Sequence, residues 1–552
     1  MARLLAGVLT ATVIACGPRD ERLPDASTFI DSPADGGAVD AGTPSSAFPL
    51  PTDAGEWLTF FQPIGTSDFD IDGLAVNAIG DAYGSGYVEG GVRFFDLGRD
   101  GMRRENGLSA TAGKDLLLFK LSKAGGVAWA QVVPSTGREG NGYDLAVDPV
   151  DDVLYTSGSF SGSLNVGGGL QLVSACSEGG SGNSNAYGQM MLLKHDRDGR
   201  ILWARQSTST TAVAGGNEVA LDGARNVIQS GTFGAMACAA GPSVLTIGAH
   251  TLPNDGQADA YAATFDRMTG EVLGTPVHVG GAGYQRAQAV DTGTIAGATP
   301  ESLLLGISYR GATTLYSRTR AAVTLDTTNA TNDWDMVVAK YDLQGELVWH
   351  RSFGSTTVLT VQGTLVQEQL KGLVRDSRGD VLVSGTLTGS VTVAGTTFAP
   401  NLLSPGARSM GFLAKLAGGD GAVLWFRTFS GEQGINTCCE VAVDDRDTTY
   451  LTPQVYGANL HFSAGQSVIA LGATDPSTKL GVILRYDTSG KALDARNLGA
   501  WQTSGTSSTT SELAMAPGRV LTWTGTLEGA LLAPVPYDSA AAQSEFVARF
   551  QY

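Results

Sequence analysis

The sequence predicts an all-β protein: seven repeats of a four-stranded antiparallel sheet, with the N-terminal strand completing the last sheet and closing a ring. Three observations predict it. Short apolar runs separated by turn residues recur along most of the chain. A Trp recurs at one fixed place in several repeats. The last repeat ends one strand short, while an unassigned strand of the right pattern precedes the first repeat.

The clearest copy is Lys371–Phe429. Gly372–Arg375 is a short apolar run, strand a. Ser377–Asp380 forms a turn in which Gly379 is free to take a positive φ. Val381–Leu387 alternates and is β-branched, strand b. Gly411–Leu416 is strand c, and a Gly-bearing turn leads to Ala422–Phe429, strand d. One such sheet cannot bury both faces, so copies must stack. Strand a recurs around Ala75, Ala146, Ala220, Ala289, Val374, Ala442 and Ala514, in steps of 71, 74, 69, 85, 68 and 72 residues. Strand b carries Gly86, Gly158, Gly231, Gly385 and Gly525. Strand c carries a base: Lys120, Lys194, Lys340, Lys415, Arg485 and Arg549. Strand d carries Trp129, Trp203, Trp349 and Trp425. The seventh copy stops after strand c, Ser544–Tyr552. Trp57 and Phe61 repeat the spacing of Trp349 and Phe353, so Glu56–Phe61 is expected to supply the missing strand and remove an open edge.

The composite pattern AVDxxGDVxVSGxFxG…DxFxAKxDxxGxxxWxxxFG resembles the bacterial SBBP-type β-propeller repeat, over roughly residues 55–552. The resemblance implies a seven-bladed β-propeller and no particular activity. The third repeat departs from it with Gly274 in place of Trp. The fourth has a longer a–b loop, Asp291–Leu303. The sixth has Pro453 at the strand b Gly and Asp494 for Trp.

The 552 residues carry 74 Gly and a formal charge of −18. Many tight turns suit the glycines. The charge argues against nucleic acid, which needs a basic footprint, and against adhesion to acidic lipid by charge. Residues 1–16 read as a secretion signal: Arg3, an apolar run, then Val13–Cys16, which resembles a bacterial lipobox with Cys16 as the lipidated residue. The other readings are an ordinary signal peptide with an incidental Cys and a short membrane anchor. Residues 17–55 are rich in Asp, Ala, Ser, Pro and Gly and are expected to be a disordered tether. Gly17 after the Cys favours an outer membrane, by resemblance to lipoprotein sorting. Residues 56–552 are the repeat domain.

Setting Cys16 aside leaves Cys176, Cys238, Cys438 and Cys439, an even number suited to an oxidising compartment. Cys176 and Cys238 lie in the b–c regions of neighbouring repeats and are candidates for a bridge. Cys438 and Cys439 are either a vicinal disulfide or separate thiols. Neither pair has the spacing of a zinc site.

Two clusters carry possible chemistry. Asp68, Asp70 and Asp72, before Gly73, match the start of a DxDxDG calcium loop and are a candidate Ca²⁺ site, but Ile79 stands where an EF-hand needs Glu. The alternative is a polar loop entering the first repeat. Two residues before each strand a anchor stand Gly73, Asp144, Glu218, Ala287, Gly372, Glu440 and Glu512. Strand a is innermost in a propeller. Asp144, Glu218, Glu440 and Glu512 are therefore expected at one mouth of the channel, binding a cation or carrying raised pKa values, or else capping turns and pairing with the strand c bases. The Asp residues of the turns and the strand d Trp residues read as structure. The five His are scattered, and no HExxH, GxSxG or Walker loop occurs.

The sequence thus reads as a monomeric, lipid-anchored propeller of a Gram-negative cell envelope. It binds a polar partner, protein or polysaccharide, through Gly/Ser/Thr-rich b–c loops (Phe94–Lys114, Gly167–Gly188, Ala235–Ala258, Tyr309–Asp333, Ala394–Ser409). No catalytic constellation or organic cofactor is expected. The competing reading is a hydrolase or lyase acting on a glycan, with the four carboxylates as acid and base.

Overall fold

A computed structural model describes residues 56–552, apart from 66, 98–102, 138–139, 176–187, 210–211, 238–242, 293–301, 328–333, 356–359, 362–363, 366–367, 405–406, 408, 438, 464–467, 472–478, 502–511 and 528–543. Cys16, the 17–55 segment, Cys176, Cys238 and Cys438 lie outside the described residues.

The described chain is all-β, with one four-residue helix at Pro400–Leu403. Among the described residues no helix is long and apolar enough to cross a membrane. Antiparallel a–b, b–c and c–d pairings recur: Gln369–Arg375, Val381–Leu387, Met410–Leu416 and Val423–Ser430 pair in that order. Strands b and c are buried along their whole length here, because neighbouring sheets cover both faces. At the chain ends Leu513–Ala516, Val520–Leu527 and Ser544–Gln551 pair in order, and Trp57–Pro63 then pairs with Ser544–Gln551, Phe60 facing Phe546. Trp57–Pro63 is buried at every residue. The strands in position a pack in a cycle: Asp68–Val76 on Gly140–Val147, then Ala212–Leu221, Tyr284–Asp291, Gln369–Arg375, Val441–Val443, Leu513–Ala516, and back to Asp68–Val76.

Three expectations need correction. Four sheets exceed four strands, and the b–c segments are not free loops. They form short hairpins, some separate and some added to strand d of the preceding repeat. Thr313–Leu315 pairs with Val272–Gly280, Asn459–Phe462 with Val423–Ser430, and the long second strand Ala82–Leu97 with Trp57–Pro63. An outer edge that would otherwise present unpaired backbone is thereby covered. The fourth repeat is shifted by two residues: Ala289 pairs with Gly306 where Gly372 pairs with Ser384, so Ala289 and not Ala287 aligns with Asp144 and Glu218. Finally, Pro453 divides strand b of the sixth repeat into Thr449–Leu451 and Gln454–Tyr456, since it has no N–H for the ladder.

In five repeats strand d locks onto the next repeat. The indole N–H groups of Trp57, Trp129, Trp203, Trp349 and Trp425 donate to the carbonyls of Lys123, Arg197, Arg267, Gly418 and Thr488. All five acceptors lie in the c–d turn of the following repeat. Two residues on, Thr59, Gln131, Arg205, Arg351 and Arg427 donate to Gly125, Gly199, Gly270, Gly421 and Gly490 of the same turns. These glycines have φ of 70–85°, and a Cβ on Gly421 would stand 2.6 Å from the Trp349 ring. Only Gly suits both the turn and the close approach. The strand c bases hold turns too: Lys120 pairs with Asp81, and Lys415 with Asp376 and Asp380.

Candidate functional site

A β-bulge occurs at one level of strand a in each of the first five repeats. The register breaks between Ile71 and Gly73, Gly142 and Asp144, Gly216 and Glu218, Ala287 and Ala289, and Leu370 and Gly372. The extra residues are Asp72, Tyr143, Asn217, Gln288 and Lys371. A bulge re-aims side chains out of the strict alternation of a strand, so two successive residues per repeat contribute to this level.

That level collects charge. Asp144, Glu218, Glu440 and Glu512 come from four repeats, yet they interact with one another and with Lys371. Asp144 bridges strands: one carboxylate oxygen accepts from the Leu145 N–H at 2.7 Å, the other from the Val219 N–H of the next repeat at 2.8 Å. Burial pushes its pKa up to about 7 against the pull of those two donors. Glu218, hydrogen-bonded to Asp144, is held well above the usual carboxylate range by burial, then by Asp144 and Glu512. Burial and the Glu218 charge do the same to Glu440; burial, Glu440, Asp144 and Asp72 do it to Glu512. Lys371 opposes the rise at all three glutamates. The four acids keep partial solvent exposure. A carboxyl that keeps its proton hydrogen-bonds polar ligands as either donor or acceptor. The four acids do not pair with the strand c bases, which are engaged at the turns.

Asp68, Asp70 and Asp72 occupy strand a of the first repeat, Asp68–Val76, and not a loop. Asp68 accepts from the Tyr87 hydroxyl at 3.0 Å. Asp70 faces Glu545 of the C-terminal strand, whose other contact is the Ile71 N–H at 2.7 Å. Burial raises both acids, Glu545 strongly. Asp72 sits at the bulge and acts on Glu512 and Glu545. The three aspartates therefore divide between two environments. Cys439 is disulfide-bonded, and the four other cysteines lie outside the described residues.

Sequence reasoning named the four acids, and Asp72 only as part of a separate calcium loop; it did not single out Lys371 or Glu545. Lys371 was visible as the residue before Gly372, but a strict two-residue alternation points it to the opposite face. Glu545 carries no mark in the sequence beyond a charge at an otherwise apolar strand position.

No family model matches the chain, and no curated protein matches it. Among solved structures it is similar to one described as the Dos1 propeller, at 11% identity and a TM-score of 0.40, covering 89% of this chain and 95% of that one. It is likewise similar to a polysaccharide lyase, Uly1, at 8% identity and a TM-score of 0.40, covering 87% and 90%. A third is the NanB sialidase of Streptococcus pneumoniae, at 8% identity and a TM-score of 0.25, covering 89% and 94%. At such scores the fold rests on this chain's own strand pairing.

Proposed function

We propose that the chain is a seven-bladed β-propeller, closed by its N-terminal strand, that binds a polar partner at carboxylates lining one mouth of its channel. The cycle of packed a strands and the pairing of Trp57–Pro63 with Ser544–Gln551 support the architecture. The signal-like residues 1–16, Cys16 and the polar 17–55 segment support a lipid-anchored protein at the outer membrane or surface of a Gram-negative cell. The partner class is an envelope polysaccharide or protein rich in hydroxyl and amide groups.

The observation that carries the binding reading is the convergence of Asp144, Glu218, Glu440 and Glu512 on Lys371 from separate repeats. Repetition alone explains turn aspartates, but it does not explain one lysine among four acids. The test is calorimetric titration of the protein with isolated envelope polysaccharide, beside Glu218→Gln and Glu440→Gln variants. Saturable binding by the parent, weakened at least about tenfold in each variant, supports the reading, at about 1.4 kcal/mol per tenfold. Equal binding by all three would remove the site from consideration.

One observation favours a second reading, a glycan hydrolase or lyase. Asp144 is pushed to about 7 while hydrogen-bonded to Glu218, and an acid–base pair needs two such unlike groups. Release of new saccharide ends by the parent but not by Asp144→Asn would establish it.

A further inference from the structure

We propose a metal site at Asp255, Asp259 and His278, taking a divalent transition ion of the zinc class. It is separate from the acids around Lys371 and does not depend on the function read there. Asp255 and Asp259 flank the start of strand c of the third repeat, Asp259–Phe265, and His278 lies near the end of strand d, Val272–Gly280. One potential ligand atom from each lies within 4.8 Å of the others, and among the described residues this is the group of three that meets that geometry.

The three atoms also converge on a point. Gly280 has no side chain, and a Cβ built there would stand 2.6 Å from Asp255 Oδ2, 2.7 Å from Asp259 Oδ2 and 2.9 Å from His278 Nε2. The backbone thus leaves open the one direction that all three donors face. Around them stands a supporting set. His278 Nε2 is 2.8 Å from Asp259 Oδ2. The His278 ring stacks on Tyr316, with centroids 4.9 Å apart and planes 11° apart. The Tyr316 hydroxyl donates to Asp255 Oδ2 at 2.6 Å. The Gln285 amide, oriented to donate, reaches Asp259 Oδ1 at 3.2 Å. Outer hydrogen bonds of this kind orient the ligands of metal sites. Asp259 is fully buried and His278 nearly so, while Asp255 is exposed. An ion would therefore enter from the Asp255 side and keep a position there for water.

The donor set selects the class. One imidazole nitrogen and two carboxylate oxygens suit Zn²⁺ and its neighbours, whereas Ca²⁺ and Mg²⁺ take oxygen alone. On binding, the ion replaces the proton between His278 and Asp259, and the imidazole keeps its remaining hydrogen on Nδ1. Tyr316 follows Thr313–Leu315 of the fourth repeat, which pairs with Val272–Gly280. The ion would consequently stiffen the joint between the third and fourth repeats.

The test is equilibrium uptake of Zn²⁺, and of Co²⁺ for its visible spectrum, by the metal-stripped full chain. Expected are one ion per chain and a Co²⁺ band of four-coordinate intensity. Asp255→Asn, exposed and tolerant of change, should weaken uptake at least roughly tenfold. His278→Gln should abolish it. Gly280→Ala should also abolish it with every donor still present, because the methyl fills the gap. Absence of uptake by the parent, or equal uptake by Asp255→Asn and Gly280→Ala, would overturn the proposal.

Discussion

Glu218 has acids from two other repeats, Asp144 and Glu512, acting on it and only Lys371 opposing them, so its proton is tied to the folded state. The sign of the pH effect follows. A carboxyl with a raised folded-state pKa binds protons more tightly when folded. Its stabilising share is full below the unfolded value, about 4, and is lost as pH rises through the folded value. For Asp144 that value is about 7. Urea unfolding of the parent is expected to show stability falling between about pH 4 and about pH 7, by less than about 4 kcal/mol for this group given its partial exposure. Glu218→Gln removes one charge from the cluster and should flatten the slope and raise stability at pH 8. A flat profile in the parent, or an unchanged slope in the variant, would contradict the clustering. These acids were legible because they recur at one offset from an apolar anchor. Lys371 was not, because a bulge adds one residue and changes the face, and no residue type in the sequence marks a bulge.

At the scale of the strand, the Trp349 ring lies on Gly421 and its N–H bonds the Gly418 carbonyl, so one side chain joins two repeats. Trp349→Ala is expected to cost about 3–5 kcal/mol through the cavity it leaves. Trp349→Phe keeps most of the ring and should cost about 1 kcal/mol for the lost hydrogen bond and buried carbonyl. Gly421→Ala has to accommodate φ of 70° and a methyl 2.6 Å from the indole, and should destabilise more than the Phe variant. Thermal melts of the three variants give the order, and a milder effect for Ala at 421 than for Phe at 349 would contradict the account. The Trp and Gly positions were readable from their recurrence, but their meeting across repeats was not, since sequence spacing holds no partner. The slip in the fourth repeat has a similar origin. Ile307 stands where other repeats carry the strand b Gly, and the bulge at Gln288 sets the register. The b–c segments misled for a different reason. Their Gly, Ser and Thr content is that of loops, yet Thr-rich runs such as Thr396–Phe398 and Val391–Val393 pair as hairpins.

For the molecule as a whole, strand order followed from counting: a last sheet one strand short and a spare strand at the start, which the structure pairs through Leu58, Phe60 and Phe546. That strand is buried on both faces and bonded on both edges. Deleting Trp57–Pro63 should therefore leave Ser544–Gln551 as a naked edge and shift the protein towards aggregate, relative to the parent, in size-exclusion chromatography. A monomer of unchanged melting temperature would show that the strand is dispensable. The same pairing has a consequence for the order of biosynthesis. Trp57–Pro63 is synthesised long before its partner Ser544–Gln551, and Glu545 meets the Ile71 N–H across 474 residues. Repeats between them can pair within themselves, but Trp57–Pro63 must wait for Ser544–Gln551 with half its hydrogen bonds unmade. A truncation that removes Ser544–Gln551 would thus do as much harm as one far upstream, and a chaperone has its longest task at Trp57–Pro63.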